Sequence, residues 1–334
     1  MGKNVFLSVT AALLFVLGLI VMFSLTPSVA NDPPETTAAV TEATTEPETT
    51  VPETTQPPTD PPTEPADTTP PQQLELTAQK AFVYDCTDNV LLYMGGSATE
   101  KAAPASLTKL MTALVALAYL DEDTVVTVGE EVTWIDPESS IAAVQSGNRL
   151  TVRMLIQGLL MQSGNDAAYA LAVAGGRAIS NDSQLDRKQA MGVFVDAMNR
   201  YCRQIGLVNT HFMNPDGIDE DGHYSCAADL ITISLRAMEN ETILRYCGMA
   251  SDYVVFESGQ EYVWQNSNYL LHEDLSFYTP EAIGLKTGST ALAGKCLISA
   301  FRQESGRTLL IGVLGSTGDG ERYTDTLTLY DLYK

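Results

Sequence analysis

A serine and a lysine three residues apart stand at the start of an apolar segment. The sequence Pro104-Ala105-Ser106-Leu107-Thr108-Lys109 continues with apolar residues spaced three and four apart, which predicts a helix over residues 106–120. Residues three apart share one face of a helix, so the side chains of Ser106 and Lys109 can meet. A serine hydroxyl is a weak nucleophile without a base, and a lysine can be that base when burial or neighbouring cations lower its pKa. The pair predicts nucleophilic catalysis, although an isolated S-x-x-K match is more often an ordinary helix start.

A second polar motif, Ser163-Gly164-Asn165, follows the apolar run Met154–Met161. A helix is predicted to begin directly after it, at Asp166, so the motif forms a tight turn between two helices. The serine and asparagine side chains can both project into a cleft from such a turn. Alone, the motif is equally well explained by the turn geometry that Ser, Gly and Asn favour.

The third motif, Lys286-Thr287-Gly288, lies within the segment Gly284–Thr290 and next to a strand predicted at residues 295–302. A second cation beside Lys109 would lower the pKa of that lysine and would attract a substrate carboxylate. Gly288 would let a ligand approach the strand backbone closely. In isolation, a polar hairpin turn explains the motif as well.

The order and spacing of the three motifs are more specific than any one of them. S-x-N begins 57 residues after S-x-x-K, and K-T-G begins a further 123 residues on. Penicillin-binding proteins and serine β-lactamases share this three-part signature. The chain resembles one family in particular, the low-molecular-weight D-alanyl-D-alanine carboxypeptidases of peptidase family S11, over roughly residues 75–330. The resemblance is carried by the segments Pro104–Thr112, Leu159–Ala168, Asn209–Gly217, Gly222–Asp229, Asn266–Asn268 and Gly284–Gly288.

The resemblance implies an α+β fold of the β-lactamase/DD-peptidase type, an antiparallel sheet from both chain ends flanked by helices, with an inserted helical region. The hydrophobic pattern supports this arrangement, because strand signals lie near both ends of the folded sequence and helix signals lie between them. The predicted strands cover residues 81–85, 89–94, 252–256, 261–264, 295–302 and 307–314, and the predicted helices cover 106–120, 150–162, 166–178, 188–205 and 226–238.

The resemblance also implies how the motifs act on a peptide that ends in D-Ala-D-Ala. Ser106 would attack the amide between the two D-alanines and form an acyl-enzyme, while Lys109 takes its proton. Ser163 would relay a proton to the departing D-alanine, and Asn165 would hold the substrate amide.

The K-T-G segment would bind the end of the substrate. Lys286 and Thr287 would face the terminal carboxylate, next to Gly288. The backbone N–H groups of Ser106 and Ser289 would form the oxyanion hole, which is usually a large contribution to catalysis. No metal and no cofactor is implied. The expected substrates are peptidoglycan stem peptides, monomeric or cross-linked, and the expected inhibitors are β-lactam antibiotics.

Rival functions use the same residues. A class A β-lactamase needs a glutamate that activates the deacylating water, and residues 187–215, where it would be expected, contain none. A transpeptidase would pass the same acyl-enzyme to an amine instead of water. A non-catalytic peptidoglycan sensor is disfavoured because all the catalytic side chains are present. A Ser-His-Asp triad is disfavoured because the chain has no G-x-S-x-G segment, and His211 and His223 lie in family-like segments where a structural role is expected.

The first 30 residues predict an export segment. Val5–Leu25 is an uncharged, mostly apolar run of 21 residues, long enough to span a bilayer and longer than the usual core of a cleaved signal. Ser28-Val29-Ala30 offers a signal-peptidase site, so two outcomes stay open: an uncleaved membrane anchor, which the length favours, or secretion after cleavage behind Ala30. Both place the remainder outside the cytoplasm. Many S11 members continue into a β-rich domain and an amphipathic anchor; we expect neither after Lys334, and we expect the N-terminal run to replace that anchor.

Residues 31–74 predict a disordered linker, since they hold 11 of the 16 prolines, 13 threonines and nine carboxylates but no basic residue. The predicted organisation is an anchor or signal at 1–30, this linker, and a catalytic domain at 75–334. The net charge of −23, from 42 acidic and 19 basic residues, argues against binding to nucleic acid. The five cysteines form no C-x-x-C pair and are predicted to be buried apolar residues.

Overall fold

The computed structural model describes residues 74–334, so the predicted anchor or signal segment and almost all of the predicted linker lie outside the described residues. In this part of the chain the strands are β1 (Lys80–Asp85), β2 (Val90–Gly95), β3 (Val125–Thr127), β4 (Arg149–Thr151), β5 (Ser251–Val255), β6 (Glu261–Gln265), β7 (Ala282–Thr290), β8 (Gly294–Arg302) and β9 (Thr308–Ser316). The helices are α1 (Thr108–Tyr119), α2 (Val152–Met161), α3 (Asn165–Ile179), α4 (Arg187–Gln204), α5 (Ala227–Glu239), α6 (Glu241–Gly248) and α7 (Asp319–Tyr333). Across residues 74–334, no helix is both long and apolar enough to cross a bilayer.

Five strands form one antiparallel sheet in the order β2-β1-β9-β8-β7. The first strand, β1, lies between β2 and β9, so that Val83 pairs with both Tyr93 and Ile311. The helices α1 to α6 lie between β2 and β7 in the sequence. The predicted sheet from both chain ends, with an inserted helical region, is therefore confirmed. The hairpins β3-β4 and β5-β6 form two separate small sheets.

Both faces of the five-stranded sheet are buried, because alternate residues of a strand point to opposite faces. In β1, Phe82 belongs to the core that the sheet shares with α1, whereas Ala81 and Val83 belong to a second core with Tyr323 and Leu329 of α7. The edge strand β7 packs against α6 and against the turn that precedes α1. This edge is where the K-T-G motif meets the start of α1.

Helix α1 lies inside the helical region rather than on its surface. Every residue from Thr108 to Ala116 is buried, and the helix contacts α3, α4 and α5. Lys109 belongs to this buried stretch. The fold therefore carries a lysine side chain into the core, which is the condition that lowers the pKa of an amine.

The five predicted helices are present with boundaries within a few residues of those expected, but α6 and α7 were not predicted. Helix α6 spans only eight residues. Helix α7 is rich in threonine and tyrosine and buries polar side chains, among them Arg322, Asp325 and Thr326. Its hydrophobic pattern is therefore too weak to be recognised as an amphipathic helix.

All five cysteines are free thiols. Four are buried, as predicted, whereas Cys86 is half-buried. Burial raises the pKa of Cys202 and of Cys247 to about 12. These two thiols stay protonated at neutral pH and are poor nucleophiles.

Candidate active site

Ser106 and Lys109 meet at the start of α1, as their spacing predicts. Ser106 lies in a 3-10 turn, Ala105–Leu107, and Lys109 lies in the first turn of α1. The Lys109 Nζ atom donates to the Ser106 Oγ atom over 2.7 Å. Ser106 is partly exposed, whereas the exposed fraction of Lys109 is 0%. The Ser106 hydroxyl is therefore open to a ligand, while the Lys109 amine stays out of bulk water.

Burial lowers the pKa of Lys109 to about 8. The carboxylates of Asp216 and Asp166 act in the opposite direction and limit this shift. With a pKa of about 8, roughly one Lys109 side chain in ten is neutral at pH 7. The neutral amine can accept the Ser106 proton, so the burial of Lys109 makes it a competent base.

The loop Asn214–Gly217 contacts the base from the other side. Lys109 Nζ donates to the backbone carbonyl of Asp216 over 2.6 Å, and Thr112 Oγ1 donates to the carbonyl of Pro215 over 2.6 Å. The Gly217 N–H donates to Asn214 Oδ1 over 2.8 Å, which closes the loop on itself. This Asn-Pro-x-Gly segment was part of the family resemblance, yet no site residue was predicted in it.

Gly217 allows the loop to approach the turn that carries the nucleophile. Its φ of +90° lies in the left-handed region that side chains disfavour. A Cβ atom at this position would collide with the carbonyl oxygen of Ala105, directly before Ser106. Ala105 itself has a φ of +49°. The backbone before the nucleophile is therefore constrained from both sides.

The S-x-N motif forms the predicted turn between α2 and α3. Ser163 is buried and has a φ of +56°, and Asn165 is the first residue of α3. The Asn165 Nδ2 atom donates to Ser139 Oγ over 2.8 Å. The side-chain amide of Asn165 is therefore held in one orientation beside the cavity described below. The role of Ser163 as a proton relay stays a prediction.

Asp166 positions the loop that borders this turn. Its buried carboxylate accepts the N–H groups of Ala142, over 2.9 Å, and of Val144, over 2.8 Å. The same loop brings Ser139 and Ser140 to the cavity next to Ser106. Asp166 was not predicted as a site residue, although it directly follows the S-x-N motif.

The K-T-G motif lies on strand β7 and pairs with β8, rather than forming a turn. A Cβ atom on Gly288 would lie 3.1 Å from the Ala105 Cβ atom and 3.2 Å from the Ser106 nitrogen. The missing side chain was predicted to admit a ligand, and this stays a prediction. In the structure it lets the turn Ala105–Leu107 pack against β7. Thr287 Oγ1 is hydrogen-bonded to Ser267 Oγ over 2.6 Å, within the Asn-Ser-Asn segment of the resemblance.

Lys286 is buried as deeply as Lys109, with 1% of its surface exposed. Its Nζ atom donates to the backbone carbonyl of Thr287 over 3.2 Å. Burial, and then the charge of Lys109, lowers the pKa of Lys286 well below its usual range. Lys286 was predicted to lower the pKa of Lys109. In the structure burial lowers the pKa of Lys109, whereas the repulsion between the two amines lowers the pKa of Lys286.

A cavity of about 290 Å³ lies beside Ser106. Ser106, Asn165 and Ser289 all line it, so one residue from or next to each of the three motifs borders the same space. Ser163 and the Lys286–Gly288 stretch are not among its lining residues. Because Ser106 and Ser289 border this space together, their N–H groups are candidates for the predicted oxyanion hole.

The remaining walls of this cavity carry several carboxylates. These carboxylates are those of Asp136, Glu138, Asp216 and Asp219, while Thr290 and Ala291, at the end of β7, carry none. Asp219 Oδ1 accepts the Thr290 hydroxyl over 2.6 Å, and its Oδ2 accepts the Leu292 N–H over 2.9 Å, which joins two of these walls. A larger cavity of about 510 Å³, bordered by β3 and α3, contains none of the predicted site residues.

The geometry agrees with a family comparison. The model of the peptidase S11 family, described as D-alanyl-D-alanine carboxypeptidase, matches residues 66–318. The chain belongs to peptidase family S11. This match covers every predicted site residue and confirms the resemblance that the three motifs indicated.

Curated S11 relatives match over most of the folded sequence. The D-alanyl-D-alanine carboxypeptidase DacF of Bacillus subtilis (strain 168) is 30% identical over 78% of this chain and 62% of the relative. DacD of Escherichia coli (strain K12) is 34% identical over 74% of this chain and 60% of the relative. The chain therefore spans about three fifths of the length of these relatives.

Solved structures confirm the fold. The Streptomyces K15 DD-transpeptidase superposes with a TM-score of 0.69 at 32% sequence identity, over 78% of this chain and 98% of that chain. Penicillin-binding protein 5 from Haemophilus influenzae superposes with a TM-score of 0.65 at 28% identity, over 80% of this chain and 72% of that chain. The predicted α+β DD-peptidase fold is thus the observed one.

This S11 domain has a buried cation that was not predicted, Arg322 of α7. It is 7% exposed, and its Nη1 atom donates to the carbonyl of Gly288 over 3.4 Å, behind the K-T-G motif. Its Nη2 atom pairs with Asp319 over 3.0 Å, and its buried Nε has no hydrogen-bond partner among residues 74–334. A guanidinium keeps its charge at all relevant pH values. Arg322 therefore adds permanent positive potential next to Lys286.

The histidines contact other groups than the nucleophile. His223 Nδ1 accepts the Met213 N–H over 3.1 Å, so its Nε2 carries the proton and donates to Thr108 Oγ1 over 2.9 Å. Burial lowers the pKa of His223 to about 4, so the ring is neutral at pH 7. His211 Nδ1 is bonded to the carbonyl of Gly222 over 2.9 Å. These contacts are consistent with the structural role expected for both rings.

Proposed function

We propose that this chain is a serine-type D-Ala-D-Ala carboxypeptidase that removes the terminal D-alanine from peptidoglycan stem peptides. The observation that carries this proposal is the 2.7 Å contact between Ser106 and a fully buried lysine, Lys109, in a chain of family S11. The names of the S11 relatives given above point to the same activity. No cofactor enters the proposed reaction.

Acylation begins when Ser106 Oγ forms a bond to the carbonyl carbon of the penultimate D-alanine. The hydroxyl proton passes to the neutral Lys109, and the carbonyl oxygen becomes an oxyanion held by the N–H groups of Ser106 and Ser289. The carbon–nitrogen bond then breaks, and the leaving D-alanine amine gains a proton through Ser163. Asn165 holds the substrate amide in the cavity.

Binding of the substrate's terminal carboxylate is assigned to the K-T-G segment of β7. Lys286, Thr287 and Arg322 place positive charge and a hydroxyl around the K-T-G motif, which suits a carboxylate. In the second half of the reaction, water attacks the acyl carbon and gives a proton to Lys109. The bond between the acyl carbon and Ser106 Oγ then breaks, Lys109 returns the proton to Oγ, and the shortened peptide leaves.

Benzylpenicillin is expected to form one long-lived covalent adduct on Ser106, because a β-lactam resembles D-Ala-D-Ala and residues 187–215 contain no deacylating glutamate. Intact-mass analysis and peptide mapping of the full-length chain check this, alongside D-alanine release from a D-Ala-D-Ala peptide. Ser106→Ala serves as the control and should give no adduct. Rapid β-lactam turnover would favour a β-lactamase, and absence of any adduct would favour a sensor.

A transpeptidase is the second candidate, favoured by the similarity to a protein whose structure is titled DD-transpeptidase and which this chain matches over 98% of its length. Water and an amine compete for the same acyl-enzyme. Adding a peptide amine to the D-alanine release assay distinguishes the two functions. A new peptide product that grows at the expense of hydrolysis would support transfer.

We also propose that Val5–Leu25 anchors the chain in the membrane, so that the catalytic domain acts on the wall outside the cytoplasm. Its 21 uncharged residues exceed the 7–15 that are typical of a cleaved signal core. Cell fractionation is expected to recover the protein with the membrane, with its N-terminal residues intact. Protein in the medium that starts at Asn31 would instead show secretion after cleavage behind Ala30.

A further inference from the structure

We propose that the buried carboxylate of Asp216 sets, through Lys109, the pH below which the rate of acylation of Ser106 falls. This inference rests on the proposed function only in so far as Lys109 is the base for Ser106. Asp216 is a positioning residue in this proposal, because it acts on the base and not on the substrate.

The backbone around Asp216 is fixed relative to the amine of Lys109. The Asp216 carbonyl accepts Lys109 Nζ over 2.6 Å, and the neighbouring Pro215 carbonyl accepts Thr112 Oγ1 over 2.6 Å. Gly217, on the other side, is closed onto Asn214 and packed against Ala105. The backbone from which the Asp216 side chain extends is therefore held beside the base.

The Asp216 carboxylate is also poorly satisfied by other groups. It is 2% exposed and forms no ion pair within 4.0 Å among residues 74–334. The N–H of Ile218 donates to its Oδ1 atom over a long 3.4 Å, and the backbone N–H groups of Asp216 and Gly217 also favour the charged form. Asp166, the other carboxylate near Lys109, differs because it accepts short bonds from Ala142 and Val144. Burial raises the pKa of Asp216, and the charge of Lys109 is the strongest influence in the opposite direction.

Other titratable groups face this pair from the surrounding elements. Lys109 is influenced by Asp166 of α3, and it acts in turn on Lys286 of β7 and on His223. Asp216 faces Tyr169 of α3, whose pKa is raised by burial and then by the charges of Asp216 and Glu220. Among these groups, Asp216 is the charge that most favours the protonated form of Lys109, which is the form that cannot act as a base.

The sign of the effect follows from this arrangement. The burial of Lys109 favours the neutral amine, and the negative charge of Asp216 favours the ammonium ion. Asp216→Asn removes the charge but keeps the side-chain volume and the backbone carbonyl that accepts Lys109. Lys109 should then become neutral at lower pH, so the acid limb of the acylation rate should move to lower pH.

The test is the second-order rate of benzylpenicillin acylation of the full-length chain, measured from pH 5 to pH 9. For Asp216→Asn the acid limb is expected to move down by about one pH unit, which makes acylation at pH 6 about tenfold faster than in the wild type. Adduct stoichiometry at pH 9 counts the folded fraction, so rates are compared per active molecule. Asp216→Ser, a second charge removal, should move the limb in the same direction.

Glu138→Gln is the matched control, because this exposed carboxylate lines the same cavity and loses the same charge. Its acid limb should stay in the wild-type position, since solvent screens the charge. A limb that does not move in Asp216→Asn, that moves to higher pH, or that moves equally in Glu138→Gln would overturn the proposal. Folded variants that are not acylated at any pH would overturn it too. Acylation without D-alanine release would instead refute the proposed function and leave this test intact.

Discussion

Replacing Lys109 with alanine is expected to slow acylation of Ser106 by a factor of about 10²–10⁴, the usual contribution of a positioned general base. Lys109 Nζ lies 2.7 Å from the nucleophile, and within residues 74–334 its Nζ is the only side-chain nitrogen bonded to Ser106 Oγ. Stopped-flow or quenched mass measurements of the benzylpenicillin adduct give the rate directly. The wild-type rate should rise with pH up to about 8, because burial lowers the pKa of Lys109 to about 8 and the neutral amine is the active form.

Thr112→Val provides a matched control for this prediction. Thr112 donates to the Pro215 carbonyl of the same loop that binds Lys109, so the variant weakens the loop contact without removing the base. The loss of one buried hydrogen bond costs about 1 kcal/mol of stability, and the acylation rate should stay within a few-fold of the wild type. If Lys109→Ala were acylated as fast as Thr112→Val, Lys109 would not be the base.

Lys286→Ala is expected to lower kcat/KM by about 10- to 100-fold for a D-Ala-D-Ala peptide with a free C-terminal carboxylate, the range expected for one charge-assisted hydrogen bond. A peptide amide, which lacks that negative charge, should lose less. The physical reason is that Lys286 is a buried residue of the K-T-G strand. A substrate carboxylate there would favour the protonated amine, which burial and the charge of Lys109 disfavour. Parallel kinetics on the acid and the amide check this difference.

Two variants separate charge from packing in this experiment. Lys286→Met keeps most of the volume and should behave like Lys286→Ala if the charge matters. Lys295→Ala removes a partly exposed cation of the neighbouring strand β8, paired with Asp319 over 2.9 Å, and should leave the acid-to-amide ratio unchanged. Equal losses for both peptides in Lys286→Ala would mean that Lys286 acts on Ser106 and Lys109 rather than on the carboxylate.

The sequence predicted the elements whose hydrophobic pattern is regular. Helix α4 buries one apolar face, so its period is visible without the fold. Helix α2 and strands β8 and β9 are buried almost throughout and stand out as apolar runs whose length separates helix from strand. Strand β7 was not recognised because the residues that it buries include Lys286, Thr287 and Gly288, which give no apolar pattern. Helix α7 was missed because it buries Arg322 and Asp325 among its apolar residues.

The contact between Ser106 and Lys109 was determined by the sequence alone, because a spacing of three in a helix brings two side chains together wherever that helix lies. The order of the three motifs likewise indicated a penicillin-binding protein or a serine β-lactamase, and the longer segments around them indicated family S11. Other features depend on residues far apart in the chain. Asp216 lies 107 positions beyond Lys109, the residue it contacts, and Arg322 lies 34 beyond Gly288. Neither spacing follows a local period, so only the packing of the loop and of α7 decided which charges surround the base.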